Sequence, residues 1–141
     1  MKIKPMIYQT DRKIELLHSD KYKEYKYYIL NLGTHLTAYI EIPKDNTLYE
    51  KGYNEIYDEG HDIDVHGGLT YSSNELMGIE NENWFIGWDY AHVGDYMGYY
   101  VGITDLGLTY INNAKKWTTE EIIKECENAI NQIIEINKKK N

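Results

Sequence analysis

The chain has 141 residues, 42% of them hydrophobic, with 15 Tyr and 3 Trp, and its 15 Lys and Arg against 23 Asp and Glu give a net charge of −8. That balance fits one folded domain and excludes a disordered acidic segment. A single cysteine, Cys126, excludes an intramolecular disulfide framework and a Cys-rich zinc module. No apolar run reaches the roughly 18–20 residues of a membrane span, and Met1–Pro5 begins no secretory apolar core. The expectation is a soluble protein of the cytoplasm, with no membrane partner. The net charge argues against free nucleic acid as a partner. The charge is uneven: residues 1–40 carry +3, residues 41–105 carry −12 and residues 106–141 carry +1.

In chain order, residues 22–32 are aromatic, aliphatic and partly alternating, which predicts a strand. Asn31-Leu32-Gly33-Thr34 supplies turn chemistry. From His35 to Ile42, Leu36, Ala38, Ile40 and Ile42 alternate with Thr37, Tyr39 and Glu41. That pattern predicts a half-buried second strand, so 22–42 reads as a hairpin that Pro43 ends. Residues 43–61 read as a long loop with one helical turn near Asn54–Tyr57. Two more short strands are expected at 63–72 and 83–90, joined through Asn74–Asn83, with Gly78 marking an irregularity. Residues 91–113 are rich in Gly and Tyr and carry no sustained period.

The last element is the clearest. Thr118 is a good N-cap and Glu121 completes a capping box. Ile122, Cys126, Ala129, Ile130, Ile133 and Ile134 make one apolar stripe at helical spacing. Glu120 and Glu121 at the start and Lys138–Lys140 at the end suit the helix dipole. Cys126 lies on the stripe and reads as a core residue. The fold class expected is α+β: a small antiparallel sheet packed by a C-terminal amphipathic helix, with long Gly- and Tyr-rich loops.

Two polar motifs carry the chemistry. In the first, Gly60 to Ser72, an extended backbone places Asp62, Asp64 and His66 on one face and Ile63 and Val65 on the other. Gly67-Gly68 then allows a sharp turn or a close ligand approach, and Thr70 adds a hydroxyl. In the second, Trp84 to Asp95, an apolar strand ends in Asp89, His92 and Asp95, spaced three apart, which a helix or tight loop brings together. His61 stands in reserve. Three chemistries fit. Mixed His and carboxylate ligands hold zinc or a harder divalent cation. A His–Asp pair performs general acid–base work. The same groups, with Trp88 to stack on, bind a nucleoside. The alternative is a polar network that only ties loops together. No phosphate loop, dinucleotide fingerprint, His-Glu-x-x-His helix or serine elbow is present.

At Ile63-Asp64-Val65-His66-Gly67-Gly68-Leu69-Thr70-Tyr71-Ser72 and Gly87-Trp88-Asp89-Tyr90-Ala91-His92-Val93-Gly94-Asp95, the chain resembles a family of small, mostly uncharacterised proteins of tailed bacteriophages and prophages. Tyr39–Pro43, Leu48-Tyr49 and Tyr53 add to the likeness, which spans roughly residues 36–136. Trp88 stands where the family has Phe, Tyr90 where Cys is common, and Asn46-Thr47 where His-Pro is usual. The resemblance implies a phage accessory protein, a class that often counters host defence.

Three functions follow as expectations. The first is sequestration of a nucleotide-derived immune signal, of cyclic nucleotide or ADP-ribose type, by Asp64, His66, Gly67, Gly68, Thr70, Trp88, Asp89, His92 and Asp95. The second is metal-dependent hydrolysis of such a signal, which the acidic segment aids by recruiting a cation. The third is inhibition of a host nucleic-acid-targeting defence enzyme by the acidic face. The tyrosines fit a homo-oligomer interface as well as a core. In the −12 segment, an anionic ligand needs a cation or aimed backbone donors.

Overall fold

The computed structural model describes residues 14–77, 79–96 and 114–139. Five strands run in chain order, β1 (Glu15–Tyr22), β2 (Tyr25–Asn31), β3 (Leu36–Ile42), β4 (Tyr71–Leu76) and β5 (Ile79–Asp89), with helices α1 (Tyr53–Asp58) and α2 (Thr119–Lys138). They form one antiparallel sheet in the order β1-β2-β3-β5-β4. With α2 packed on it, this is the α+β architecture expected. Met1–Pro5, Gly78 and the part of 91–113 beyond Tyr96 lie outside the described residues.

The first hairpin differs from the sequence reading. Tyr22 ends β1 and pairs with Tyr25, and the chain reverses at Lys23 and Glu24. Both have positive φ, 49° and 74°, as a two-residue hairpin turn requires. Lys-Glu is not the Asn-Gly signal of such a turn, and the edge strand β1 is mostly exposed and polar. Propensity and alternation therefore gave no sign of it. The β2–β3 turn is as expected. Asn31 Oδ1 accepts the Gly33 N–H at 2.8 Å, and Gly33 takes φ 101°.

Strand β3 is buried on both faces, not one. Leu36, Ala38, Ile40 and Ile42 join α2's Ile122, Cys126, Ala129, Ile130 and Ile133 in the core. On the other face the sheet covers itself. Tyr39 meets Tyr71 edge to face at 5.1 Å. Its ring also lies where a Cβ on Gly87 would come within 2.6 Å, so that strand position admits only glycine. Glu41, buried, accepts from the Tyr28 hydroxyl and the Asn83 amide at 2.6 Å each.

Of the two predicted strands, 83–90 falls within β5, which starts earlier, at Ile79, and ends at Asp89, while 63–72 is corrected. Among the described residues, 62–69 pair with no strand; Thr70 N–H reaches Gly87 C=O of β5, β4 begins at Tyr71, and the expected 74–83 connection is itself hairpin, with Leu76 opposite Ile79. Ile63 and Val65 do reach the core as the alternation predicted. The backbone between them bonds to helix side chains instead. Asp64 N–H donates to Gln132 Oε1 at 2.7 Å and His66 N–H to Glu125 Oε2 at 3.1 Å. Period-2 burial is thus genuine here without a ladder partner.

Helix α2 begins at its predicted cap, with Glu121 N–H on Thr118 Oγ1 at 3.2 Å and Thr118 N–H on Glu121 Oε1 at 3.0 Å. Cys126 is fully buried, and burial pushes its thiol up, which keeps it protonated and inert. Among the described residues no helix is long and apolar enough to cross a membrane.

Candidate functional site

The two motifs meet at one end of the sheet. The 62–70 segment, held to α2 as above, delivers His66 and Gly67. The end of β5 delivers Trp88 and Asp89, and the turn after it delivers His92 and Asp95. Two residues outside both motifs complete the cluster: Trp117, just before α2, and Glu125 on it.

Asp95 is the closed centre, with its side chain 4% exposed. Its carboxylate accepts from His66 Nε2 at 2.8 and 3.1 Å, from the His92 N–H at 2.9 Å and from the Trp117 indole at 2.9 Å. Burial pushes the carboxyl up, but these donors outweigh it and hold the group below its ordinary value. A carboxylate only accepts, so His66 Nε2 carries the proton that faces it. The imidazole is fixed by stacking: parallel to Tyr90 at 5.0 Å, tilted on Trp117 at 4.8 Å and edge to face with His92 at 5.3 Å. Tyr90 donates to Glu125 and accepts from Trp88 Nε1 at 3.0 Å. Burial, then the bond to Glu125, raises its phenol, which stays protonated. Among the described residues His66 Nδ1 has no partner.

Asp89 is the open neighbour, with its side chain 26% exposed. Oδ1 accepts the Ala91 N–H at 3.1 Å and Oδ2 accepts the Thr70 hydroxyl at 2.9 Å. His92 Nε2 lies 3.3 Å from Oδ1, off the line of a hydrogen bond. That nitrogen is packed against Gly67, where a Cβ would fall 2.1 Å from it. Gly67, with φ 72°, is required twice over.

Two expected residues take other roles. Trp88 is 1% exposed and packs in the core, so its ring is no stacking platform for a ligand. Asp64 points its carboxylate to solvent while its peptide is clamped on both sides by Gln132. The Gly67-Gly68 turn also differs from an anion nest. Gly68 N–H donates to Val65 C=O, Leu69 N–H to the Tyr57 hydroxyl and Thr70 N–H to Gly87 C=O, each at 2.9 Å. Three successive donors are spent inside the fold. His61 stands elsewhere, in a cavity of about 370 Å³ that it shares with Asp62, Gln132 and Glu135.

Among the described residues no group of three or more His, Cys, Asp and Glu side chains is arranged to hold a metal ion. No Lys or Arg among them pairs with Asp89, Asp95 or Glu125. Lys115 lies over the Trp117 ring at 4.7 Å but bonds Glu121 at 2.8 Å.

Glu125 had one sequence signal. It sits three residues after Ile122 and four before Ala129, a carboxylate on the edge of the apolar stripe. Trp117 had none beyond its place before the cap. Compared with protein-family models, curated proteins and solved structures, the chain matches none.

Proposed function

We propose that this chain is a phage accessory protein of the host cytoplasm that binds and sequesters a nucleotide-derived immune signal, and that it does so without chemistry. The binding corner is Thr70, Asp89 and His92, with His66 and Gly67 at its rim. The observation that supports this reading is the division of labour between two adjacent aspartates. Asp95 is saturated by donors and holds the scaffold. Asp89 keeps acceptor capacity at a partly exposed position. The His66–Asp95 pair has the form of an oriented acid–base dyad. Its imidazole is nevertheless packed among three rings, a setting that favours a fixed wall over a moving proton carrier. Calorimetric titration against cyclic dinucleotides and cyclic ADP-ribose tests the reading. Saturable binding that Asp89→Asn/His92→Ala abolishes is expected, and silence across the panel with folded protein contradicts it.

A second reading, an acidic inhibitor of a host defence enzyme, has its own support. Glu55, Asp58, Glu59, Asp62 and Asp64 are all exposed around α1. Among the described residues only Lys51 and His61 answer them, Lys51 at 3.8 Å from Glu55 and 2.9 Å from Glu59, His61 at 3.7 Å from Glu59. Counter-defence activity in infected cells that survives Asp89→Asn/His92→Ala, and falls on neutralising these five, favours it over the first.

A further inference from the structure

We infer that Asp89 is the ligand's anchor, and that the group it takes is a neutral hydrogen-bond donor, the vicinal diol of a ribose, and not a phosphate. This rests on the binding reading above and narrows its ligand class.

Among the described residues two side-chain atoms are buried without a hydrogen bond of good geometry, Thr37 Oγ1 and His92 Nε2. Both flank Asp89. Thr37 sits directly across from it in the β3–β5 register, on the same face of the sheet. The Tyr39 phenol lies within hydrogen-bonding reach of Thr37, outside the geometry of a good bond. His92 Nε2 is 3.3 Å from Asp89 Oδ1. Buried polar atoms without partners are rare in folded proteins, and each calls for an explanation. Here both fall beside one carboxylate. That carboxylate has capacity left: about four acceptor positions are available to it, and Ala91 and Thr70 supply one donor to each oxygen.

Charge then selects the partner. Asp89, Asp95 and Glu125 bring three carboxylates to this end of the sheet, and no Lys or Arg among the described residues pairs with them. The N–H groups of Gly68, Leu69 and Thr70 are spent. A phosphate at Asp89 would meet like charge without the donors that normally offset it. A vicinal diol offers two O–H donors at a spacing that one carboxylate bridges, the way an acidic residue holds a ribose in dinucleotide sites. ADP-ribose-type signals carry such a diol. A 3′,5′-linked cyclic dinucleotide has each ribose reduced to a single free 2′-hydroxyl and does not.

The test is a protein-observed NMR titration with adenosine, 2′,3′-dideoxyadenosine, AMP and ADP-ribose, on the natural chain, Asp89→Asn and Thr70→Val. Adenosine and AMP should bind within about threefold of each other, and loss of the diol or of the Asp89 charge should weaken binding at least ~10-fold. Thr70→Val, which removes the hydroxyl that orients Asp89 Oδ2 but leaves the charge, should weaken the diol probes by about two- to fivefold. AMP binding tenfold tighter than adenosine, or tightening on Asp89→Asn, makes the corner a phosphate seat; this inference then falls while the binding reading stands. No response to any probe at millimolar concentration, with the spectrum of a folded protein, overturns both.

Discussion

Asp95 and Asp89 stand six residues apart on one turn and face opposite problems. Asp95 is buried and meets three kinds of donor: an imidazole, a backbone N–H and an indole. Asp89 is a quarter exposed, meets a hydroxyl and one backbone N–H, and leaves His92 Nε2 beside it unbonded. The difference separates scaffold from site. A carboxylate that is saturated stabilises the fold and has nothing left for a ligand. A carboxylate that keeps empty lone pairs near solvent contributes little to folding and is free to bind. The sequence spacing Asp-x-x-His-x-x-Asp looks symmetric. The structure makes it one structural residue, one open residue and a histidine between them.

Asp95→Ala should have the largest effect. It strands the Trp117 indole, the His66 Nε2 proton and the His92 N–H in a closed site, which should cost about 3–5 kcal/mol in urea unfolding. A loss below about 1 kcal/mol would mean the cluster is not a staple.

Gly67→Ala should come next. Its Cβ would meet His92 Nε2 at 2.1 Å in a left-handed backbone, at about 2–4 kcal/mol. Gly68→Ala shares the positive φ but has ordinary room, its nearest contact being the Tyr57 hydroxyl at 3.6 Å; about 1 kcal/mol is expected. Equal losses at the two glycines would remove the close imidazole contact from the account.

Acid should act through Asp95 as well. Its folded value lies below the ordinary one, so its contribution is complete above the unfolded carboxyl value of about 3.9 and is lost as pH falls through the lower folded value. Asp95→Asn should therefore flatten the acid limb of the stability–pH curve relative to the natural chain. An unchanged limb assigns acid sensitivity to other carboxylates.

The smallest stability effect is expected at Asp89. Asp89→Asn keeps a shape that can accept from Thr70 and Ala91, and should stay within about 1 kcal/mol of the natural chain.

How far the sequence carried this account depends on what each element relies on. Helix α2 was legible because cap, dipole and stripe agree along one segment. The β2–β3 hairpin was legible from alternation and from the Asn31-Leu32-Gly33-Thr34 turn. Strand β1 was not, since an exposed edge strand such as Glu15–Tyr22 has no apolar period to show. The 62–70 segment misled for the opposite reason: Ile63 and Val65 alternate with polar residues, but Gln132 and Glu125 satisfy its backbone in place of a strand. The convergence of His66 with Asp89, His92 and Asp95 followed from the two motifs. Their unequal roles did not, because Trp117 and Glu125 lie 22 and 30 residues beyond Asp95 and are brought in by α2. Trp88 was expected to offer a ring for ligand stacking, yet the pleat turns it inward.

The most direct test is paired urea unfolding of Asp95→Ala and Asp89→Ala at pH 7 in one buffer. The account predicts that Asp95→Ala is less stable than Asp89→Ala by at least about 2 kcal/mol, with both m-values close to that of the natural chain. Equal destabilisation, or a greater loss at Asp89, would contradict the division between a closed structural aspartate and an open binding one.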